Sequence, residues 1–167
     1  TIIGAGAQNA NAKGIASEAY GYINDFNNDM GEMTLQASFG LLLSNHSYGP
    51  VAAGLPAYFF GAYTGNSRSV DLLTFNAPSY QPVVAAGNDG DGNYDHLTSM
   101  ATAKNTIVVA AVNQVSNYTG ASSVSLAGFS SWGPTDDNRV KPDISSKGVA
   151  VVSATFQTDI SYGPMQG

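Results

Sequence analysis

One stretch of the sequence, residues 81–90, limits the choice of fold more than any other. Its middle part consists of Val83, Val84, Ala85 and Ala86, an apolar run without polar alternation. Such a run is typical of a strand that is buried on both faces. Strands of this kind belong to parallel sheets, so the stretch indicates a parallel sheet at the centre of the fold.

The apolar run ends in four residues that favour a turn, Gly87, Asn88, Asp89 and Gly90. Gly87 has no Cβ, so another backbone can approach there, and Asn88 follows with a short side-chain amide. Ligands of open parallel sheets bind beyond the carboxyl ends of the strands, and the pattern therefore predicts a site at Asn88. A plain surface turn is the alternative that these residues leave open.

Charge, hydropathy and cysteine content exclude several classes of partner and of site. Six Lys and Arg residues stand against twelve Asp and Glu residues, for a net charge of −6. Nucleic-acid binding needs a clustered basic surface, so we expect no nucleic-acid partner. No apolar run approaches the ~20 residues of a membrane span, and we expect no membrane partner. The absence of cysteine excludes disulfides and thiolate metal sites.

The length of 167 residues suits one domain with its own core. The sequence begins at Thr1 with no initiator methionine or leader and ends at Gly167 with no cap or tail. We therefore expect that both ends are truncated. The 19 glycines and the low share of charged residues, 11%, are typical of a secreted enzyme.

Hydrophobic periodicity predicts strands that alternate with helices. The predicted strands are short apolar runs, and they lie at residues 19–24, 83–86, 105–112 and 148–154, with an extended piece at 124–129 and a strand that finishes at 47–49. The predicted helices lie at residues 33–41 and 67–75. This alternation indicates an α/β fold on a parallel sheet.

Three segments agree in order and spacing with one known family. Residues 45–49 match an N-x-S-x-G pattern, and residues 85–88 match A-A-G-N. Residues 129–135 match F-S-S-x-G-P-T and are followed by K-P-D-I at residues 141–144. In this order the chain resembles the subtilisin-like serine proteases, the subtilases of peptidase family S8, from about residue 14 to residue 167.

The resemblance implies a three-layer α/β fold with a mainly parallel central sheet flanked by helices. It implies a serine endopeptidase with an Asp–His–Ser triad, and therefore a polypeptide substrate. Residues 1–167 would be the central part of one catalytic domain, with the catalytic Asp and His before Thr1 and the catalytic Ser just after Gly167. The fragment alone would be inactive, and the intact protein would be secreted or at the cell surface.

The resemblance also assigns roles to residues of this chain. Asn88 would donate a hydrogen bond to the oxyanion of the tetrahedral intermediate. The residues that pair with the substrate backbone would be Ser47, Tyr48 and Gly49, and those that form one wall of the pocket for the residue before the scissile bond would be Ala85, Ala86 and Gly87. Small residues in that wall suggest room for a sizeable apolar or aromatic side chain.

Three further residues could be mistaken for a catalytic group. Ser99 lies in Thr-Ser-Met-Ala, which imitates the nucleophile motif, but the preceding Gly is missing and the segment comes too early in the chain. His46 lies inside the N-x-S-x-G segment, where a packed histidine is favoured over a general base. His96 lies in a polar loop, and we expect its side chain to be solvated.

No cofactor is required for the chemistry that the resemblance implies. Structural calcium is common in the family, but no segment has a ligand pattern that assigns it. Asp89, Asp91 and Asp95 form an acidic cluster, for which a solvated loop is favoured over a calcium site.

Two other classes stay open on the sequence. A subtilase-like domain that has lost its triad would serve as a binding or scaffold module. An unrelated α/β hydrolase or nucleotide enzyme is the second, although Gly4-x-Gly6 is a poor dinucleotide fingerprint because Asn9 replaces the third glycine.

Overall fold

The computed structural model describes residues 2–90 and 96–167. Two α-helices lie in this part of the chain, α1 (Asp29–Ser38) and α2 (Gly65–Asn76). The strands in the same part are β1 (Leu43–His46), β2 (Gln81–Ala85), β3 (Ile107–Val112), β4 (Ile144–Lys147), β5 (Val151–Ala154) and β6 (Tyr162–Met165).

Strands β1 to β4 form one parallel sheet in the order β1-β2-β3-β4. The register pairs His46 with Val84 and Val84 with Val108, so the carboxyl ends of β1, β2 and β3 lie at the same edge. Strands β5 and β6 form a separate antiparallel pair. The α/β class with a parallel sheet, predicted from the sequence, is confirmed.

The core lies on one face of the sheet, between the strands and the helices. Val84 and Ala86 from the β2 segment and Val108 from β3 pack with Val70 and Leu73 of α2. The alternate residues of β2 are only partly buried, so the two faces of the strand differ in burial. The uniform apolar run therefore marks a central parallel strand but does not report how well each face is covered.

Helix α2 begins where a capping box satisfies its first backbone groups. The hydroxyl of Ser67 accepts from the backbone N–H of Thr64 at 3.0 Å, and Ser67 is fully buried. Further along α2, the carboxylate of Asp71 accepts from the backbone N–H groups of Lys104 and Asn105. The helix is thus tied to the turn that precedes β3.

The K-P-D-I segment joins β4 to β3. The carboxylate of Asp143 accepts from the backbone N–H of Val108 at 2.7 Å, and the backbone N–H of Asp143 donates to the carbonyl of Val108 at 2.9 Å. Lys141 is buried, and its ammonium donates to Asp143 at 2.7 Å and to the carbonyl of Thr106 at 2.8 Å. A lysine ammonium can be buried when polar partners of this kind bind it. The contacts of the K-P-D-I segment therefore hold β4 beside β3.

The strand predicted at residues 19–24 is wrong. This segment has no regular structure, and Tyr20 and Ile23 are almost fully exposed. An apolar run forms a strand only when a neighbouring strand satisfies its backbone groups, and no described strand lies beside this segment. Composition alone therefore misled the prediction.

Other predicted elements differ in their bounds. Helix α1 begins at Asp29 and ends at Ser38, earlier than predicted at both ends. Strand β1 ends at His46, before residues 47–49. The piece at residues 124–129 contributes only an isolated bridge between Leu126 and Val112, and the strand predicted from residue 148 begins at Val151. No helix in the described residues has the length and apolar character needed to cross a membrane.

Candidate active site

The candidate site lies at the carboxyl edge of the parallel sheet. Asn88 follows β2, residues 47–49 follow β1, and Gly148 follows β4. Because β1 and β2 are paired up to His46 and Val84, residues 47–49 and the β2 loop leave the sheet side by side. This edge is where open parallel sheets bind ligands.

The backbone of the Asn88 loop is held on both sides by other segments. Ser131 donates its backbone N–H to the carbonyl of Gly87 at 3.0 Å, and its Oγ accepts from the backbone N–H of Asp89 at 3.0 Å. The backbone N–H of Gly90 donates to the carbonyl of Phe129 at 2.8 Å. The loop thus has a fixed backbone position, whereas a plain surface turn would be held chiefly by its own bonds.

Unlike the backbone of its loop, which is hydrogen-bonded, the side chain of Asn88 is exposed and makes no hydrogen bond to a described residue. Its Nδ2 lies 3.9 Å from the position that a Cβ on Gly167 would occupy. The amide is therefore an unpaired donor that points towards the space beside Gly167.

Gly167 is itself anchored at this edge. Its backbone N–H donates to the carbonyl of Gly148 at 3.1 Å, and the N–H of Gly148 donates to the carbonyl of Val112 at 3.1 Å. A Cβ on Gly148 would lie 2.5 Å from the Cβ of Ala111 and 2.7 Å from the carbonyl oxygen of Gly167. Only glycine fits there without a shift of the backbone. The sequence analysis did not assign Gly148 a role.

Residues 47–49, predicted to pair with substrate, are all exposed. Their backbone groups make no hydrogen bond to the described residues. A Cβ on Gly49 would meet nothing within 4 Å. The segment is thus an unpaired edge with an open approach to Gly49.

The predicted pocket-wall residues differ from one another. Ala86 is 4% exposed and belongs to the core, so a ligand could meet only its backbone. Ala85 is partly buried. Gly87 has φ +114°, and a Cβ there would lie 2.8 Å from Ser131 Oγ. Gly87 is therefore required by the contact with Ser131.

His46 is a packed histidine, as predicted. It is 6% exposed, and its Nε2 and Nδ1 lie 2.7 Å from Ser44 Oγ and from the hydroxyl of Tyr48. The hydroxyl of Tyr80 donates to Ser44, so His46 belongs to a hydrogen-bonded chain of Tyr80, Ser44, His46 and Tyr48. Burial lowers the pKa of His46, and the carboxylate of Asp29 acts in the opposite direction.

His96 is not the solvated side chain that was predicted. It is partly buried, its ring meets Phe60 edge-on at 4.8 Å between centroids, and its Nδ1 is hydrogen-bonded to the carbonyl of Asp89. The backbone N–H of His96 also donates to the carbonyl of Trp132 at 3.3 Å. His96 is therefore a further support of the Asn88 loop, which no motif in the sequence signals.

Ser99 begins the 3-10 turn Ser99–Thr102 with a positive φ of 53°. Its carbonyl accepts from the hydroxyls of Ser67 and Thr102, and its own hydroxyl lies 3.4 Å from the amide of Asn66. No described histidine is bonded to it, so the arrangement agrees with the exclusion of Ser99 as a nucleophile.

No group of three or more His, Asp or Glu side chains that could hold a metal ion occurs in residues 2–90 and 96–167. Asp91 and Asp95 of the predicted acidic loop lie outside the described residues. For Asp89, the described contacts are those of its backbone with Ser131 and His96.

Taken together, a parallel sheet and an exposed amide donor at its carboxyl edge make this edge the candidate ligand site of an α/β protein. The model of the subtilase family matches residues 1–167, and the chain belongs to that family. Membership indicates serine peptidase function and polypeptide substrates. A search of curated proteins found no match.

Proposed function

We propose that this chain forms the oxyanion and substrate-binding part of a serine endopeptidase that works through an acyl-enzyme. The observation that carries the proposal is the amide of Asn88, which is exposed and has no hydrogen-bond partner among the described residues, on a loop whose neighbouring backbone groups are bonded. A donor in a fixed position lowers the barrier for a reaction in which negative charge develops beside it.

When a serine attacks a peptide carbonyl, the carbonyl oxygen acquires negative charge. In our proposal Asn88 Nδ2 donates to this oxygen together with the backbone N–H of the catalytic serine. That serine would follow Gly167, and a Cβ built on Gly167 would lie 3.9 Å from Asn88 Nδ2. The amide would thus meet the charge without a rearrangement of the loop.

The general base is proposed to lie outside residues 1–167. The chain contains two histidines, of which His46 is bonded through both ring nitrogens to Ser44 and Tyr48, and His96 through Nδ1 to the carbonyl of Asp89. Neither is bonded to a serine that lies beside Asn88. By the Asp–His–Ser chain order of the family, the catalytic His and its Asp would come from a segment before Thr1, and residues 1–167 would be the central part of the catalytic domain.

The substrate is proposed to add a strand to the free edge at residues 47–49. Its backbone would pair with Ser47 and Gly49, whose own groups have no described partner. The residue before the scissile bond would lie against Ala85 and the backbone of Ala86 and Gly87. The low charge suits an extracytoplasmic enzyme, and the chemistry needs no cofactor, although a structural calcium ion is compatible with the family.

A phosphonylating reagent specific for active-site serines tests this function. The full-length protein should lose peptidase activity as one serine, in the peptide that follows Gly167, is labelled in a 1:1 ratio, and heat-denatured protein should not react. If the folded protein hydrolyses no peptide and is not labelled, the domain is a scaffold, and the proposal is wrong.

A further inference from the structure

We infer that Ser131 is a positioning residue for the oxyanion donor, a role that rests on the function proposed for Asn88. Ser131 is fully buried and cannot touch the substrate. Its contacts reach the residues on both sides of Asn88: its N–H bonds the carbonyl of Gly87 and its Oγ accepts from the N–H of Asp89, each at 3.0 Å.

These two bonds fix the orientation of the residue between them. The peptide groups before and after Asn88 are both held by one residue, so the direction of the Asn88 Cα–Cβ bond is set by Ser131. Gly87 permits the close approach, since a Cβ there would lie 2.8 Å from Ser131 Oγ. The exposed amide has no described partner of its own and depends on the backbone for its position.

Loss of the hydroxyl would leave the N–H of Asp89 without its partner and would let the loop move. A small misplacement of a group that contacts the reacting atoms is costly: about 1 Å can cost about 10²-fold in rate. We therefore expect Ser131→Ala to lower kcat about tenfold. KM should change by less than about twofold, because the variant keeps the backbone N–H that holds the pocket-wall residue Gly87, and Ser131 makes no contact with the substrate edge at residues 47–49.

Ser130 offers a matched control. It is equally buried, and its Oγ also accepts one backbone N–H, that of Ala111 in β3, at 2.9 Å. Ser130→Ala removes the same group from the neighbouring position but leaves the hydroxyl contact to the Asn88 loop intact. It should lower stability without a specific loss of kcat.

A double-mutant cycle in the full-length enzyme completes the test. Ser131→Ala, Asn88→Ala and the double variant are compared by kcat, with Ser131→Cys, which keeps the shape with a weaker acceptor, used if Ser131→Ala does not fold. In the Asn88→Ala background, the change at Ser131 should cost less than about twofold, because nothing is left to position.

The outcomes separate this inference from the proposed function. If Asn88→Ala leaves kcat unchanged, the oxyanion role itself is wrong. If Asn88→Ala lowers kcat but the Ser131 variant does not, or does so equally in both backgrounds, the positioning role is overturned. A loss of kcat in Ser130→Ala equal to that in the Ser131 variant would also overturn it.

Discussion

The loop at residues 87–90 and the segment at residues 47–49 leave the same edge of the sheet but are built in opposite ways. In the loop, backbone groups of Gly87, Asp89 and Gly90 are bonded to residues 129–131, and the amide of Asn88 has no hydrogen-bond partner among the described residues. In the segment, the backbone groups have no described partner.

The difference follows from what each part would have to bind. A donor for a charge that appears during the reaction must be in place beforehand, so its backbone is bonded and only the amide is open. A strand that pairs with a substrate backbone must keep its own N–H and C=O groups available. Four substitutions test this difference between the bonded loop and the open segment, and they follow in order from the largest expected effect to the smallest.

Asn88→Ala removes the free donor from the bonded loop. Loss of one oxyanion-hole donor in a subtilase costs about 10² to 10³ in kcat, a magnitude taken from the family rather than from this geometry. We expect the same order here, with KM nearly unchanged, from steady-state kinetics of the full-length enzyme. Asn113→Ala, at the end of the neighbouring strand β3, is the control and should retain full activity. Equal rates in both variants would remove Asn88 from the mechanism.

Gly90→Ala tests whether the loop is rigidly held. A Cβ at residue 90 would overlap the carbonyl group of Ser130, so the loop and residues 129–131 must separate. Such overpacking costs about 1–3 kcal/mol, and we expect a fall of this size in the free energy of unfolding from urea titration. An unchanged urea midpoint would show that the loop yields easily, and the contrast with residues 47–49 would then disappear.

Gly49→Ala makes the corresponding change in the open segment. A Cβ there meets nothing within 4 Å, so stability should change by less than about 0.5 kcal/mol. A side chain in the path of the substrate would cost one backbone hydrogen bond, about 1 kcal/mol, or about fivefold in kcat/KM. Gly65→Ala, also in open space at the start of α2, is the control and should leave kcat/KM unaltered. A stability loss without a kinetic effect would contradict the substrate role.

His46→Gln tests the buried histidine at the end of β1, directly before residues 47–49, through the pH dependence of stability. Burial lowers the pKa of His46 in the folded protein, so below the ordinary value of 6.5 the unfolded chain takes up a proton that the folded chain resists. The free energy of unfolding of the wild type should therefore fall as the pH drops from 6.5 towards the lowered pKa, and the variant should lose that part of the slope. The effect is the smallest of the four, because Asp29 opposes burial.

Thermal melts from pH 8 to pH 5 measure this difference. The carboxylates of Asp29 and Glu32 are present in both proteins, so the difference between the two profiles reports on His46. Parallel pH profiles for the wild type and His46→Gln would mean that His46 does not resist protonation in the fold.

Much of the fold could be predicted because its signals are local. The apolar runs of β2 and β3 and the apolar periodicity of α2 identify elements that contribute buried residues to the core. Strand β4 was missed because Ile144–Lys147 is exposed and carries no apolar pattern. Its pairing depends on the bond from Val108 to the carboxylate of Asp143, a contact across 35 positions of the chain.

For the site, the sequence determined which residue types are present. Gly87 and then the amide of Asn88 follow a buried strand, and the family motifs occur in order. Only the tertiary structure decided what those residues touch. It showed that Ser131 and His96 hold the Asn88 loop and that Gly148 lets Gly167 approach the same edge. The physical reason is that a hydrogen bond such as that between Asp89 and Ser131, 42 positions apart, depends on where the sheet brings the two segments, which no local pattern encodes.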